Sequence, residues 1–155
     1  RLSTCRPAAR RERIAATHAR FGSIWHINCH SMNAVGGVQA EGGAGHARAD
    51  FVVGDRDGTT CDAEFTDLVR GTLAGMGYDV RVNDPYKGVE LVRAYSNPAE
   101  GRMSLQLEIN KRLYMDEATR TKNANFAKLQ RELLELVDAV LDYTRSALAA
   151  RADAR

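Results

Sequence analysis

The sequence predicts an α/β fold in which a mixed sheet is flanked by helices. Short β-rich runs alternate along the chain with longer stretches whose apolar residues recur at helical spacing, which is typical of a sheet with helices packed on its faces. The 155 residues suit one domain, and a composition that is 44% hydrophobic and 27% charged indicates a folded protein. We divide the chain into a basic N-terminal segment, residues 1–22, and a domain over residues 23–150.

The N-terminal half of the chain predicts one helix and two strands, with a long loop between the strands. Residues 7–20 contain no glycine, and Pro7 is tolerated in the first turn of a helix. Residues 23–29 (SIWHINC) and 50–53 (DFVV) are rich in β-branched and aromatic side chains. Residues 31–48 contain five glycines and no periodic pattern, so we expect a functional or mobile loop there.

The C-terminal half predicts two strands and two helices. Asp62 suits the N-cap of a helix that runs to about Ala74. Residues 78–82 (YDVRV) alternate like a half-buried strand, and residues 103–109 (MSLQLEI) place apolar side chains on one face and polar ones on the other. A last helix over residues 121–150 is expected to bury an apolar stripe: Phe126, Leu129, Leu133, Leu136, Val137 and Val140.

Charge and cysteine content limit the partners that the chain can have. Residues 1–20 carry six arginines and one glutamate, while the whole chain has a net charge of only +2. A basic segment can bind nucleic acid or an acidic membrane surface, but no aromatic residue accompanies these arginines, so we do not expect nucleic acid as a partner. No apolar run approaches the ~18 residues of a membrane-spanning helix. Three cysteines without a CxxC pair favour a reducing compartment, and we expect a cytoplasmic location.

Polar clusters follow three of the predicted strands, at residues 30–31, 54–60 and 108–110. Ligands of open α/β sheets gather beyond the carboxyl ends of the strands. His30, at the mouth of the glycine-rich loop, can offer an imidazole nitrogen to zinc, and Glu108 can take a proton from a zinc-bound water. A surface glutamate and a hydrogen-bonded loop histidine are the alternative interpretation of this pair.

Two neighbours of His30 are expected to have structural roles. His26 shares a strand face with His30 but lies ~13 Å away along the strand, which is too far for both to bind one metal ion. Cys29 alternates to the opposite face, where we expect it to behave as a small buried hydrophobe.

The segment DRDGT at residues 55–59 resembles the DxDGT motif of haloacid-dehalogenase-like phosphatases. In that interpretation Asp55 is the nucleophile that attacks phosphorus, and Asp57 carries the proton. That family also needs a lysine on a helix and a downstream acidic pair for magnesium. This sequence does not supply them clearly, so the phosphatase remains an alternative that rests on five residues.

Four segments together resemble the N-formylglutamate amidohydrolases, and they occur in the order found in that family. They are HINCHSM (26–32), ADFVVGDRDGTTCD (49–62), VNDPYKGVE (82–90) and SLQLEINKRLYMDE (104–117). The resemblance extends over about residues 20–140 and implies a zinc-carboxypeptidase-like (phosphorylase/hydrolase-like) fold. It also implies zinc-dependent hydrolysis of the N-formyl amide of N-formyl-L-glutamate to formate and L-glutamate, a step of histidine degradation.

The resemblance further implies roles for individual residues. His30 would be a zinc ligand, and Glu108 would be the general base that later protonates the departing amine. Arg56 is a candidate for binding a substrate carboxylate, because a guanidinium matches a carboxylate as a bidentate fork; a surface salt bridge is the alternative. Three residues of NDPYKG would face the substrate: Asn83, Tyr86 and Lys87.

The resemblance also implies that part of the zinc site lies outside this chain. A catalytic zinc ion needs about three protein ligands, and among histidines and acidic residues the segment 1–22 offers only His18 and Glu12, both on a predicted helix. We therefore expect a domain that is incomplete at its N-terminus, and the sequence leaves open whether this chain binds zinc or is active alone. A truncated, non-catalytic domain that acts only in an interaction is the alternative. An exposed half-domain surface would also favour self-association.

Overall fold

The computed structural model describes residues 5–37 and 44–153, and the main sheet in these ranges has four strands in the order β1-β4-β2-β3. The strands are β1 (Ile24–Met32), β2 (Phe51–Gly54), β3 (Val80–Val82) and β4 (Arg102–Asn110). Strand β4 is parallel to β1 and antiparallel to β2, and β2 is parallel to β3. The mixed sheet that the sequence predicts is therefore confirmed.

Four α-helices accompany the sheet within the same ranges: α1 (Cys5–Phe21), α2 (Ala63–Gly75), α3 (Glu90–Tyr95) and α4 (Phe126–Asp153). The Asp62 side chain accepts a hydrogen bond of 2.9 Å from the backbone N–H of Phe65, as expected for the N-cap of α2. The short helix α3 was not predicted, because its six residues are too few to show a helical period. None of the helices described is long and apolar enough to cross a membrane.

Two predicted boundaries are wrong, and pairing between strands explains both. Strand β1 continues in register with β4 as far as Met32, so His30 lies within a strand and not on a loop. Helix α4 begins at Phe126 and not near Thr121, because β5 (Met115–Asp116) and β6 (Thr121–Lys122) form a small antiparallel hairpin. Within the glycine-rich segment, Val35 and Ala47 form an isolated bridge, and residues 38–43 lie outside the described residues.

The hydrophobic core lies on one face of the sheet, under α2 and α4. Its buried side chains come from two strands, β2 and β4, and from the two helices: Phe51, Val53, Phe65, Val69, Leu73, Met103, Leu105, Leu107, Leu129 and Leu136. Two burial predictions are wrong. Val137 is 50% exposed because the buried side of α4 passes through Leu129 and Leu136 instead. Cys29 is exposed because it lies near the end of β1, which pairs with a neighbour on one side only among the described strands.

Candidate active site

Strands β1 and β4 bring six polar side chains to the face of the sheet opposite the core. Partner positions in a parallel pair of strands point to the same face of the sheet. The register pairs His26 with Ser104, Asn28 with Gln106, and His30 with Glu108. The polar face is therefore built by two strands whose paired residues are 78 positions apart in sequence.

His30 and Glu108 are in contact. The Nδ1 atom of His30 lies 3.4 Å from Oε1 of Glu108, and the side chain of the histidine is 40% exposed whereas that of the glutamate is 8% exposed. Oε1 of Glu108 also accepts a hydrogen bond of 2.7 Å from Nε2 of Gln106. On the other side of the imidazole, the Asn28 amide donates to Nε2 of His30 at 3.0 Å. The carboxylate is thus buried and fixed in orientation, rather than lying on the surface.

His26 has separate contacts farther along the same face. Its Nδ1 atom lies 2.8 Å from Oγ of Ser104, and its ring meets the Tyr95 ring edge to face with centroids 5.8 Å apart. Burial, and to a smaller extent the charge of Arg10 on α1, lower the pKa of His26 below its usual 6.5. These contacts give His26 a packing role that does not involve His30.

Two cavities meet at Glu108. The larger, of about 950 Å³, is lined by Arg56, Lys87, Tyr86 and Glu108 among others. The smaller, of about 290 Å³, is lined by Arg48, Ser31 and Asn33 and again by Tyr86 and Glu108. Glu108 and Tyr86 therefore form a wall that the two cavities share, and a ligand that fills both would pass the carboxylate of Glu108.

The larger cavity has a cationic wall that the backbone holds in place. Arg56 donates from its backbone N–H to the Lys87 carbonyl and from Nη1 to the Gly88 carbonyl, both at 2.8 Å. Lys87 lies 2.8 Å from a carboxylate oxygen of Asp57. A Cβ at Gly54 would come within 2.7 Å of the Lys87 carbonyl carbon, so only glycine allows this segment to approach β2 so closely.

Asn83 belongs to a network around Asp55 and does not line either cavity. Asp55 is 4% exposed, and its carboxylate accepts hydrogen bonds from Asn83 Nδ2 at 2.7 Å, Gly58 N at 2.8 Å and Thr66 Oγ1 at 2.9 Å. A carboxylate enclosed in this way stabilises the turn after β2 and is poorly placed to attack phosphorus. The phosphatase alternative is therefore not favoured.

The direction of β2 corrects one premise of the sequence interpretation. Because β2 is antiparallel to β4, its carboxyl end lies beside Gln106, away from the carboxyl ends of β1 and β4. The cluster at residues 54–60 consequently does not join the other two polar clusters at one end of the sheet. Arg56 reaches the region of Glu108 through the cavity that both residues line.

The metal-binding potential of the described residues is limited. Residues 5–37 and 44–153 contain no group of three His, Cys, Asp or Glu side chains that could hold a metal ion. His30 and Glu108 supply two donors, fewer than the three protein ligands of a catalytic zinc ion. These residues alone do not fit a zinc site.

Comparison with known proteins identifies the family. The family model of N-formylglutamate amidohydrolase matches residues 8–115. The chain belongs to this family. Its structure is similar to that of an N-formylglutamate amidohydrolase from Ralstonia eutropha, with 44% sequence identity and a TM-score of 0.83. An N-formylglutamate deformylase from Pseudomonas putida is 33% identical over 69 residues.

This family member spans only part of the length of these relatives. The structural match covers 92% of this chain and 53% of the Ralstonia eutropha protein. The match to the Pseudomonas putida protein covers 44% of this chain and 26% of that protein.

Sequence reasoning missed Arg48, Asn28 and Gln106. The signal for the last two was present, because polar residues occupy every second position in both HINCH and SLQLE. Neither HINCH nor SLQLE by itself predicts the register that aligns the two patterns. Arg48 lies in a segment without a periodic pattern, so the sequence does not predict that it is buried in the folded chain.

Proposed function

We propose that this chain takes part in hydrolysis of the N-formyl amide of N-formyl-L-glutamate, with Glu108 as the general base. The observation that carries the proposal is the buried carboxylate of Glu108, held by Gln106 and His30 at the junction of two cavities. Membership of the family and the names of both relatives support N-formyl-L-glutamate as the substrate. The place of the reaction in histidine degradation and a cytoplasmic location remain proposals that rest on the sequence.

The chemistry requires one proton to be moved twice. Glu108 takes a proton from a water molecule as the water oxygen forms a bond to the formyl carbon. The same carboxyl group then gives the proton to the amide nitrogen as the C–N bond breaks, which yields formate and L-glutamate. Gln106 fixes the carboxylate through this cycle because its amide donates to Oε1 of Glu108.

Substrate binding is assigned to the walls of the larger cavity. Arg56 and Lys87 supply positive charge for a carboxylate, and Tyr86 supplies a ring that both cavities share. Their existing contacts are a backbone carbonyl for Arg56 and an exposed aspartate for Lys87, partners that a ligand carboxylate can replace.

Formate release from N-formyl-L-glutamate by the purified chain, supplied with zinc, tests the proposal. Glu108→Gln keeps the size of the side chain but removes the base, so turnover should fall by about 10²–10⁴-fold. Glu135→Gln, an exposed position on α4, is the matched control and should keep full activity. A wild-type chain that releases no formate, or a Glu108→Gln variant with unchanged turnover, would reject the proposal.

We further propose that His30 contributes one ligand to a zinc ion whose other ligands are not among the described residues. A histidine that ligates a metal commonly presents its second ring nitrogen to a carboxylate. Glu108 faces Nδ1, so Nε2 would be the ligating atom, and the hydrogen bond that Asn28 donates to Nε2 would have to be released when zinc binds. Competition with a chelator measures the zinc affinity. His30→Ala should lower it at least about tenfold, while His46→Ala, at an exposed histidine, should leave it unchanged; equal affinities of wild type and His30→Ala would refute the assignment.

A further inference from the structure

Arg48 is buried without an acidic partner. The residue is only 6% exposed, and its Nη2 atom is enclosed with no hydrogen-bond partner in the part of the chain that the structure describes. No acidic side chain in that part forms an ion pair with it within 4 Å. Arginines this deeply buried are almost always paired, because removing the charge from water is costly. Among residues 5–37 and 44–153 the guanidinium of Arg48 therefore has no acidic partner, and its Nη2 atom has no hydrogen-bond acceptor.

The position of Arg48 is fixed from three sides. Its backbone N–H donates to the Ala34 carbonyl at 2.9 Å, and its own carbonyl accepts from Nδ2 of Asn110, a fully buried side chain, at 3.3 Å. The Tyr86 ring lies 4.9 Å from the guanidinium carbon, within the range of a cation–π contact. This support keeps the charge in place and leaves Nη2 without a hydrogen-bond partner.

Arg48 also lines a cavity of about 60 Å³ beside Asp84, so the cavity of about 290 Å³ at Glu108 is the one of the two with more room for a bound partner. Arg48 lines this cavity together with Glu108 and Tyr86. An unpaired buried guanidinium favours an anion with two acceptor oxygens, which is the geometry of a carboxylate. Since Glu108 itself is acidic, an anionic ligand beside it needs a nearby positive charge, and Arg48 supplies that charge in this cavity.

We propose that Arg48 binds one of the two carboxylates of a dicarboxylic amino acid, while the larger cavity with Arg56 takes the other. This inference rests on the proposed function and extends it, because it makes the double negative charge of the substrate the property that this chain selects. Glu108 forms a wall of both cavities, so a ligand that bridges Arg48 and Arg56 would pass the catalytic carboxylate.

The product L-glutamate provides a probe that is not consumed. Isothermal titration of the full chain would compare L-glutamate with its two monoamides, L-glutamine and L-isoglutamine, each of which lacks one carboxylate. Arg48→Gln should weaken L-glutamate binding by about 10–100-fold, the equivalent of one charge-assisted hydrogen-bonded pair. It should also abolish the preference for L-glutamate over one of the two amides. Arg131→Gln, at an exposed arginine of α4, is the control and should change neither quantity.

Thermal unfolding without ligand separates a binding role from a structural one. Arg48→Met keeps much of the side-chain volume and removes an unpaired buried charge, so its Tm should equal or exceed that of the wild type. A structural arginine would instead lose stability on this change, and a clear fall in Tm would overturn the proposal. Arg48→Lys keeps the charge but not the fork, and its affinity for L-glutamate should lie between those of wild type and Arg48→Gln.

The outcomes distinguish this inference from the proposed function. One outcome is that formate release depends on Glu108, while Arg48→Gln keeps the wild-type affinity for L-glutamate and the preference for it over both amides. Arg48 is then not a carboxylate ligand, and the hydrolase proposal stands. If dicarboxylate binding depends on Arg48 but no formate is released, the hydrolase proposal fails and this inference stands. A wild-type chain with no preference for L-glutamate over either amide would overturn the inference.

Discussion

The two faces of the β1–β4 pair differ in chemistry although the same strands build them. On one face, Met103, Leu105 and Leu107 of β4 pack under α2 and α4. On the other face, Ser104, Gln106 and Glu108 are equally buried, at 0%, 2% and 6% exposure, yet every one of them is polar and hydrogen-bonded or in contact with a histidine. Burial alone therefore does not mark the core of this protein.

The two faces of β4 differ in what stabilises their buried side chains. Apolar side chains are stabilised by removal from water and need no particular partner. Buried polar side chains need specific partners, because an unsatisfied group carries a desolvation penalty. The apolar face should consequently tolerate substitutions of similar volume, while the polar face should be sensitive to the geometry of each side chain.

Truncation on the apolar face should have the largest effect on stability. Leu105 is fully buried in the core, so Leu105→Ala should lower the free energy of unfolding by about 2–5 kcal/mol. Its neighbour on the opposite face, Ser104, is equally buried but loses only one hydrogen bond in Ser104→Ala, at a cost of about 0.5–1.5 kcal/mol. Urea unfolding of the two variants measures both values. Equal losses would show that the two faces do not differ in the way described.

The apolar side of the molecule continues to the surface of α4, and there a change should affect association rather than stability. Leu134 and Val137 are 58% and 50% exposed and line an apolar groove of about 370 Å³. Apolar grooves of this kind and open strand edges favour self-association. We therefore propose that two copies of this chain associate through the groove at Leu134 and Val137. Light scattering at increasing concentration should show oligomers of the wild type and fewer of Leu134→Lys, with Tm nearly unchanged. A wild-type chain that stays monomeric throughout would contradict the proposal.

The smallest effect is expected on the polar face, in the dependence of stability on pH. The pKa of His26 is lowered in the folded protein by burial and by Arg10, so the unfolded chain binds the proton more readily. The stabilising effect of neutral His26 is complete above pH 6.5 and is lost as pH falls through the lowered folded-state pKa. Tm measured at pH 7.5 and pH 5.5 should therefore differ less in His26→Asn than in the wild type. An identical difference in both proteins would show that another group titrates.

Local sequence signals predicted most of the regular structure. The alternation in MSLQLEI indicated both faces of β4, and Asp62 marked the start of α2, because each signal depends on neighbours within a few residues. The errors fall where distant segments meet. The prediction of a loop at His30 is wrong because no local signal shows that β1 stays paired with β4 as far as Met32. The prediction that Val137 is buried is wrong because the helical stripe alone does not fix which side of α4 faces the sheet.

Individual candidates for the site could be chosen from the sequence, but their arrangement could not. The sequence singled out His30 and Glu108, and the resemblance added Arg56, Asn83, Tyr86 and Lys87. Four of these, Arg56, Tyr86, Lys87 and Glu108, line the two cavities that share Glu108, and His30 contacts Glu108. Asn83 instead donates a hydrogen bond to Asp55. Arg48 could not be chosen from the sequence, because the argument for it is that its buried Nη2 atom has no hydrogen-bond partner among the described residues. Only the folded surroundings of the side chain show this.

The sequence by itself determined the fold class, the family and the residue types at the site, since these depend on periodicity and on short ordered motifs. The tertiary structure alone decided that His30 contacts Glu108, that β2 runs antiparallel to β4, and that Arg48 is buried at a cavity that Glu108 also lines. The physical reason is that register and strand direction are fixed by packing between segments far apart in the chain. A change of one residue in that register would turn Glu108 into the core and leave the polar face without its carboxylate.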